Sequence, residues 1–326
     1  MSPEERNYGE QLEPHRRALH GHCYRMLGSL QDAEDAVQET LLKAWRGLDR
    51  FEGRSSLRSW LYTIATNVCL RMIERRPSRV LPIDYGPPAD PHAPLGARLA
   101  ESVWIEPYPD RQLGLDEGLA GPEARYEQRE AVELAFIAAL QHLPARQRAV
   151  LILRDVLGFS GEEVAGALET TPASVYSLLQ RAHASVDDRL PERSQQQTLR
   201  ALGDERLSAI VDRYVEAWAR TDVDAIVGML TESATAAMPP YPNWFNGREA
   251  FVIGLRAGAL DGVTQWRLLP TSANGQLAMG AYKLDRSGAY LPNHVAVLTF
   301  RGDRIDQLQA FHDASLLERF GLPARV

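Results

Sequence analysis

Between residues 51 and 76 the chain reads FEGRSSLRSWLYTIATNVCLRMIERR, and apolar and polar positions separate onto two faces at helical spacing. Leu57, Trp60, Leu61, Ile64, Ala65, Val68, Cys69 and Met72 form one continuous stripe. The other side carries Arg58, Ser59, Tyr62, Thr63, Thr66, Asn67, Arg71 and Arg75, with no carboxylate before Glu74. Ser55 or Ser56 is placed to cap this helix by accepting a backbone N–H. A face that mixes cations, hydroxyls, an amide and an aromatic ring suits a negatively charged polymer with stackable bases. The plainer alternative is an amphipathic helix with a solvated face.

The same periodicity predicts helices on either side. Leu12, His15, Leu19, Cys23, Met26 and Leu27 share one side of a helix over 10–27, which GSLQD breaks. Asp32 is placed to cap the next helix, whose stripe is Ala33, Ala36, Val37, Thr40, Leu41, Ala44, Trp45 and Leu48. Asp32, Glu34, Asp35 and Glu39 crowd its first two turns. They either offset the macrodipole, at about 0.3–1 kcal/mol each, or form an acidic patch that docks a basic partner. Further on, REAVELAFIAALQHLP predicts a helix with Val132, Phe136, Ala139, Leu140 and Leu143 on one side, and Pro144 opens the next. Ser160 and Glu163 have capping-box spacing. Thr171 and Pro172 start a longer helix with Val175, Leu178, Leu179, Ala182 and Val186 inward. Two short helices, a tight turn and a longer second helix describe a helix-turn-helix.

Between these helical stretches, residues 78–128 are rich in proline and in acids and read as a linker. The segment LAESVWIEPYPD, with Val103, Trp104, Ile105 and Tyr108, is too apolar to stay free and is expected to dock, on this chain's own domains or on a partner. PERSQQQTLRALGDE, 191–205, reads as a second linker, helical or disordered. Beyond it, Leu207, Ile210, Val211, Tyr214 and Trp218 mark a helix, with shorter ones over 225–230 and 247–260. Strand-like runs follow: VTQWRLLPT, GQLAMGAYKLD, NHVAVLTFRGDRI and QLQAFHD, with RGD as a hairpin turn. Helices first and an antiparallel sheet after them predict an α+β domain with a curled sheet wrapped on helices.

Composition adds bounds. The chain has 326 residues, enough for two or three domains, and 44% hydrophobic and 24% charged residues, as in globular proteins. No signal peptide or bilayer-spanning run is expected. Cys23 and Cys69 are expected as buried free thiols in a reducing cytoplasm. The net charge of −7 is unusual for a nucleic-acid binder, but local distribution counts for more than the sum. No cofactor or metal site is expected.

GSLQDAEDAVQETLLKAWRGLDRF followed by RSSLRSWLYTIATNVCLRMIERR resembles region 2 of a sigma-70 family factor of the extracytoplasmic-function (ECF) group. The D-A-E-D-x-x-Q-E-T core, the W-L-x-x-I-A-x-N run and the terminal R-R stand in that family's order. The helix-turn-helix, after LPARQRAVLILRDVLGFSGEEVAGAL, resembles region 4. The last 120 or so residues, through FNGREAF and FHDASLLERFGLP, resemble a SnoaL-like cone. The implied fold class is multidomain: two all-α helical sigma domains, a region 2 bundle over 10–78 and a region 4 helix-turn-helix over 129–190, joined by an acidic proline-rich linker over 79–128. An α+β SnoaL-like cone with a curved antiparallel sheet follows over 204–326.

The resemblance implies core RNA polymerase and promoter DNA as partners. Asp32, Asp35, Gln38 and Glu39 would face the β′ clamp, and region 4 the β flap. Phe51 to Ser56, including Arg54 and Ser55, would hold a flipped base of the −10 element. Arg58, Trp60, Thr63, Asn67, Arg71 and Arg75 would lie along the melted strand, although Phe51 and Trp60 equally suit a core. Pro172, Ser174, Tyr176, Ser177, Gln180 and Arg181 would reach the −35 major groove. Leu178 and His183 stand where that family often has basic residues, and Asp187 and Asp188 follow, which predicts a weaker −35 grip. In the cone, Tyr214, Trp218, Trp244, Phe245, Trp266, His294, His312 and Asp313 are the pocket candidates, as a regulatory site for a small-molecule ligand. The expectation is a non-enzymatic initiation factor modulated by its cone. The rivals are a bifunctional protein with a hydrolase- or isomerase-like C-terminal pocket, and a plain helix-turn-helix regulator.

Overall fold

A computed structural model describes residues 11–53, 55–76, 78–112 and 129–326. Among these the chain forms two compact units, one within Met1–Arg79 and Arg111–Pro191, the other from Val80–Asp110 and Glu192–Val326. No helix among the described residues is long and apolar enough to cross a membrane.

The first unit is helical. Helix α1 (Arg16–Leu27) ends where Gly28 takes a left-handed conformation, φ 70°, and returns its N–H to Tyr24 O at 2.7 Å. Helix α2 (Leu30–Gly47) follows after two residues. Its cap is Ser29, which accepts from Asp32 N, and not Asp32. Asp32 lies in the first turn instead, because Ser29 already supplies the acceptor and Leu30 is needed in the core. Ser56 caps α3 (Leu57–Glu74) by accepting from Ser59 N. Leu19, Cys23 and Met26 of α1, Ala33, Val37 and Leu41 of α2, and Leu61, Val68 and Cys69 of α3 are all buried. Cys23 and Cys69 are both free thiols.

The same unit contains the helices after residue 128: α4 (Leu134–Gln141), α5 (Ala145–Leu151), a π turn over Ile152–Val156, α6 (Gly161–Ala167) and α7 (Pro172–Asp187). The Ser160–Glu163 capping box closes in both directions at the start of α6. Thr171 caps α7 with Pro172 in its first turn. These helices pack on α1 and α3 through the buried Arg148 of α5, which donates to Met26 O at the end of α1, to Gln141 Oε1 and O, and to Leu143 O. The charge meets the electronegative end of α1. Burial lowers the Arg148 pKa to about 10, so it stays a cation near neutral pH.

The second unit is α+β. Helices α8 (Gln195–Leu202), α9 (Asp204–Ala219) and α10 (Val223–Gly228) lead into a six-stranded sheet of order β2-β1-β6-β5-β4-β3. The strands are β1 (Leu230–Ala237), β2 (Trp244–Asn246), β3 (Trp266–Ala273), β4 (Gln276–Leu284), β5 (Tyr290–Arg301) and β6 (Arg304–Phe311). Helix α11 (Arg248–Ala257) carries the chain from β2 to β3 at the far edge, and α12 (Ser315–Arg319) follows the last strand. The sheet is mixed, not wholly antiparallel, because the β3–β6 meander returns alongside β1 and β6 runs parallel to it. Register shifts in the β1/β6, β4/β5 and β5/β6 ladders supply local bends. Gly302, φ 62°, makes the two-residue turn at RGD.

The stretch 191–205 is mostly α8, and its Gln195 pairs with Phe300 of β5 through both amide atoms, at 2.9 and 2.7 Å. Residues 80–110 lie on the cone, so of the two docking choices left open by the sequence the chain's own domain is the one seen. Trp104 Nε1 donates to Pro240 O at 3.1 Å, and Trp104, Ile105 and Tyr108 are buried. Tyr108 N donates to Asn274 Oδ1, and Asn274 N donates to Tyr108 O, each at 2.8 Å. Residues 113–128 of the expected linker lie outside the described residues.

Candidate functional site

The acidic helix α2 divides its carboxylates between two tasks. Asp32 is only 5% exposed and is held by Arg79 at 2.8 Å and by Arg76. It ties the end of α3 back to α2. Asp35, Gln38 and Glu39 are exposed, and the same side of α2 continues with Leu42 (42% exposed) and Trp45 (44% exposed). At positions i, i+3, i+4, i+7 and i+10 these five residues form one row. Two large apolar side chains in an acidic row are a surface that binding would desolvate. Sequence spacing placed Trp45 in the buried stripe. Trp45 stands at the edge of that stripe, whose middle, Ala36, Thr40, Leu41 and Ala44, is buried as expected.

The polar face of α3 is the largest departure from expectation. Ser59, Tyr62 and Thr66 are buried, whereas Trp60, Ile64 and Met72 of the apolar stripe are only half-buried. The cause is the second half of the unit, which covers the polar side. Arg58 donates to Leu157 O at 2.9 Å, and its guanidinium lies 4.5 Å from the ring centroid of Phe159 and 5.2 Å from that of Tyr62. Asn67 Nδ2 donates to Ala167 O at 3.4 Å, and Thr63 faces Phe159, Glu163, Val164 and Ala167. Thr66 Oγ1 meets the buried His22 Nε2 at 3.0 Å. Burial holds His22 near a pKa of about 3, with Arg25 adding to the effect, so the ring is neutral. Of the expected −10 residues, Ser55, Arg58, Arg71 and Arg75 are exposed, Arg58 despite its bond to Leu157 O. Phe51 and Trp60 are half-buried and stack on each other, with centroids 4.9 Å apart. Arg54 lies outside the described residues.

On α7, Pro172, Tyr176, Ser177, Gln180 and Arg181 are exposed and Ser174 half-buried, with Val175, Ala182 and Val186 turned into the core. Tyr176, 56% exposed, is the largest open aromatic on this helix.

In the cone, Tyr214, Trp218, Trp266, His294 and His312 line one cavity of about 380 Å³. Their rings form a chain: Tyr214–Trp218 at 6.0 Å, Trp218–Trp266 at 5.9 Å, Trp266–His294 at 5.6 Å and His294–His312 at 4.7 Å. Trp244 does not line it: its Nε1 donates to Gly86 O at 2.8 Å and clamps the 80–110 segment to the cone. Phe245 does line the cavity, pressed against α11 so closely that a Cβ on Gly254 would come within 2.4 Å of its ring. Asp313 faces away from His312 and accepts from Ser315 N and Oγ at 2.9 and 2.7 Å, so the adjacent pair is not a dyad. Burial lowers the pKa of His294 well below its ordinary value, with His312 adding to the effect, and burial lowers that of His312 to about 4. Burial raises the pKa of the Tyr214 hydroxyl, and the nearby Trp218 N–H opposes that rise without completing a hydrogen bond. Sequence reasoning missed the Pro91–Leu95 part of the wall, because nothing local in a proline-rich segment marks what it will cover.

Known proteins bear on both units. Residues 12–79 match the family model for sigma-70 region 2, and residues 133–185 that for sigma-70 region 4. The chain is 44% identical to the ECF RNA polymerase sigma factor SigG of Mycobacterium tuberculosis, over 97% of this chain and 84% of that one. It is 28% identical to ECF RNA polymerase sigma factor SigE of Mycolicibacterium smegmatis over 58% of this chain and 63% of that one. Its fold is similar to that of the extracytoplasmic function sigma factor SigJ of M. tuberculosis, at 22% identity and a TM-score of 0.58, covering 97% of this chain and 99% of that one. With both sigma regions matched and a relative this similar along nearly the whole chain, the protein belongs to the ECF RNA polymerase sigma factors.

Proposed function

We propose that this chain binds core RNA polymerase through the exposed row on α2, directs promoter recognition and strand opening, and is modulated by its cone. The observation that carries the docking role is the row Asp35, Gln38, Glu39, Leu42 and Trp45, an acidic surface with two uncovered apolar side chains. The −10 residues Arg58, Thr63 and Asn67 are engaged by residues 153–167, so this arrangement is a closed state. The helices must separate before that face meets a melted strand. Because the α2 row is already open, polymerase favours the separated state only through further contacts that it makes better there. Exposed Tyr176, Ser177, Gln180 and Arg181 then serve the −35 element. The protein acts in the cytoplasm, beside polymerase.

Run-off transcription with core polymerase and a matched promoter tests this reading, comparing the full chain with Asp35→Arg/Glu39→Arg and with a chain ending at Pro191. The expected result is promoter-specific transcript from the full chain or its truncation, at least tenfold less from the double variant, and a changed yield on truncation. Absence of specific transcript from both forms refutes the initiation role. Equal yield from the two forms refutes modulation by the cone.

A further inference from the structure

The cone cavity, about 380 Å³, is of a size that takes small molecules, and its wall specifies which kind. Among the described residues Lys283 is the single formally charged side chain on that wall, and it is exposed. His294 and His312 are held neutral by burial, so a guest meets uncharged groups at neutral pH. Rings and aliphatic side chains make up most of the surface. The indole Nε1 of Trp218 is buried beside the Tyr214 hydroxyl, so Trp218 offers the cavity its ring and not its donor.

A second observation concerns the cover. Pro91, Ala93, Pro94 and Leu95 line the cavity from the 80–110 segment. That segment is fastened to the cone on both sides of them. Ala89 N donates to Trp244 O at 2.8 Å, Gly96 N to Asn243 Oδ1 at 2.8 Å, and Leu99 N to Pro240 O at 2.9 Å. Four small or apolar residues thus form part of the cavity wall between backbone anchors, and a guest below them touches the same segment that leads toward the sigma regions in sequence.

We propose that this cavity binds an uncharged, largely apolar, ring-containing molecule, with Pro91–Leu95 as its cover. The proposal deepens the regulatory reading of the cone and rests on it for biological meaning. Its test needs no polymerase, so the two fail separately.

The probe is Nile red, an uncharged fused-ring dye with a carbonyl, titrated into the full-length chain and followed by its fluorescence. The anionic dye 1-anilinonaphthalene-8-sulfonate is the charged comparison. The expected result is saturable binding of one Nile red per chain, at least tenfold tighter than the anionic dye. Leu95→Asp is expected to weaken Nile red at least tenfold, and because Leu95 is exposed the change leaves the core intact. Hydrogen exchange at Ala89, Gly96 and Leu99 is expected to slow at least threefold when the dye is bound. No saturable binding, equal affinity in wild type and Leu95→Asp, or tighter binding of the anionic dye would each overturn the proposal.

Discussion

Replacing Arg148 by methionine should loosen the join between the two halves of the helical unit. The guanidinium donates to four oxygens: Met26 O on α1, Gln141 Oε1 and O, and Leu143 O at the end of α4, the last two at 3.0 and 3.3 Å. Methionine keeps much of the buried stem but supplies no donor. A buried acceptor left without a partner costs about 1–3 kcal/mol. Relief of the buried charge offsets part of that loss, since its depressed pKa shows that burial opposes the cation. Taking about 1.5 kcal/mol for each of the four acceptors and subtracting about 3 kcal/mol for the relief, from a pKa lowered from 12.5 to about 10, gives a net loss of about 3 kcal/mol. Hydrogen exchange on α1 and α5 reads this directly, without interference from the cone. Exchange that proceeds through opening of this join should accelerate about 100-fold, at about 1.4 kcal/mol per factor of ten. Arg148→Lys, which keeps the charge but reaches fewer oxygens, should fall between the two. Acceleration below about fivefold in the methionine variant would refute the role of Arg148 as the clasp. If the clasp closes the −10 face, the same variant should also bind single-stranded −10 DNA more tightly than wild type in the absence of polymerase.

Acidification should destabilise the helical unit through His22. Its unfolded pKa is 6.5 and its folded pKa about 3, so below pH 6.5 the unfolded chain binds the extra proton and stability falls as pH falls. The loss is about 1.4 kcal/mol per pH unit, or about 2 kcal/mol at pH 5, and chemical denaturation at pH 7 and pH 5 should show a smaller difference in His22→Gln. Asp32→Asn should cost about 2–4 kcal/mol by breaking the buried pairing with Arg79. Asp35→Arg/Glu39→Arg should change stability by less than about 1 kcal/mol, because the ion pairs of Glu39 with Lys43 and Arg71 are exposed. Denaturant midpoints for these variants separate the structural carboxylate from the docking ones, and equal losses would sink the distinction. Trp104→Ala should release the 80–110 segment, which limited proteolysis would detect as new cleavage there. An unchanged digestion pattern would show that Trp104 is not an anchor.

Most helices and four of the strands could be read in the sequence because their causes are local. Ser56, Ser160 and Thr171 cap where their spacing to the following N–H groups requires, and RGD turns because glycine can take a positive φ. The region 2 and region 4 motifs were legible for a related reason, since each is confined to a continuous run of residues. Strand β1 was not legible. LTESATAA has weak alternation and too little apolar character, and it is a strand because β2 and β6 flank it. The parallel pairing of β1 with β6 depends on where the chain returns after about 70 residues, which no window reveals.

The functional surfaces divide along the same line. Composition and spacing alone already marked α2 as acidic, α3 as cationic and aromatic, and the C-terminal strands as carriers of tryptophan and histidine. Which side of each would face solvent depended on distant neighbours. Asp32 became structural because Arg76 and Arg79 reach it, and Trp45 is exposed at the edge of a stripe whose middle, Ala36, Thr40 and Ala44, is buried. Asn67 and Arg58 are engaged because a helix and a turn 99 or 100 positions later supply Ala167 O and Leu157 O. Periodicity ranks the faces of one helix by polarity, but burial is settled by what packs against them, and that contact has no trace in the local sequence.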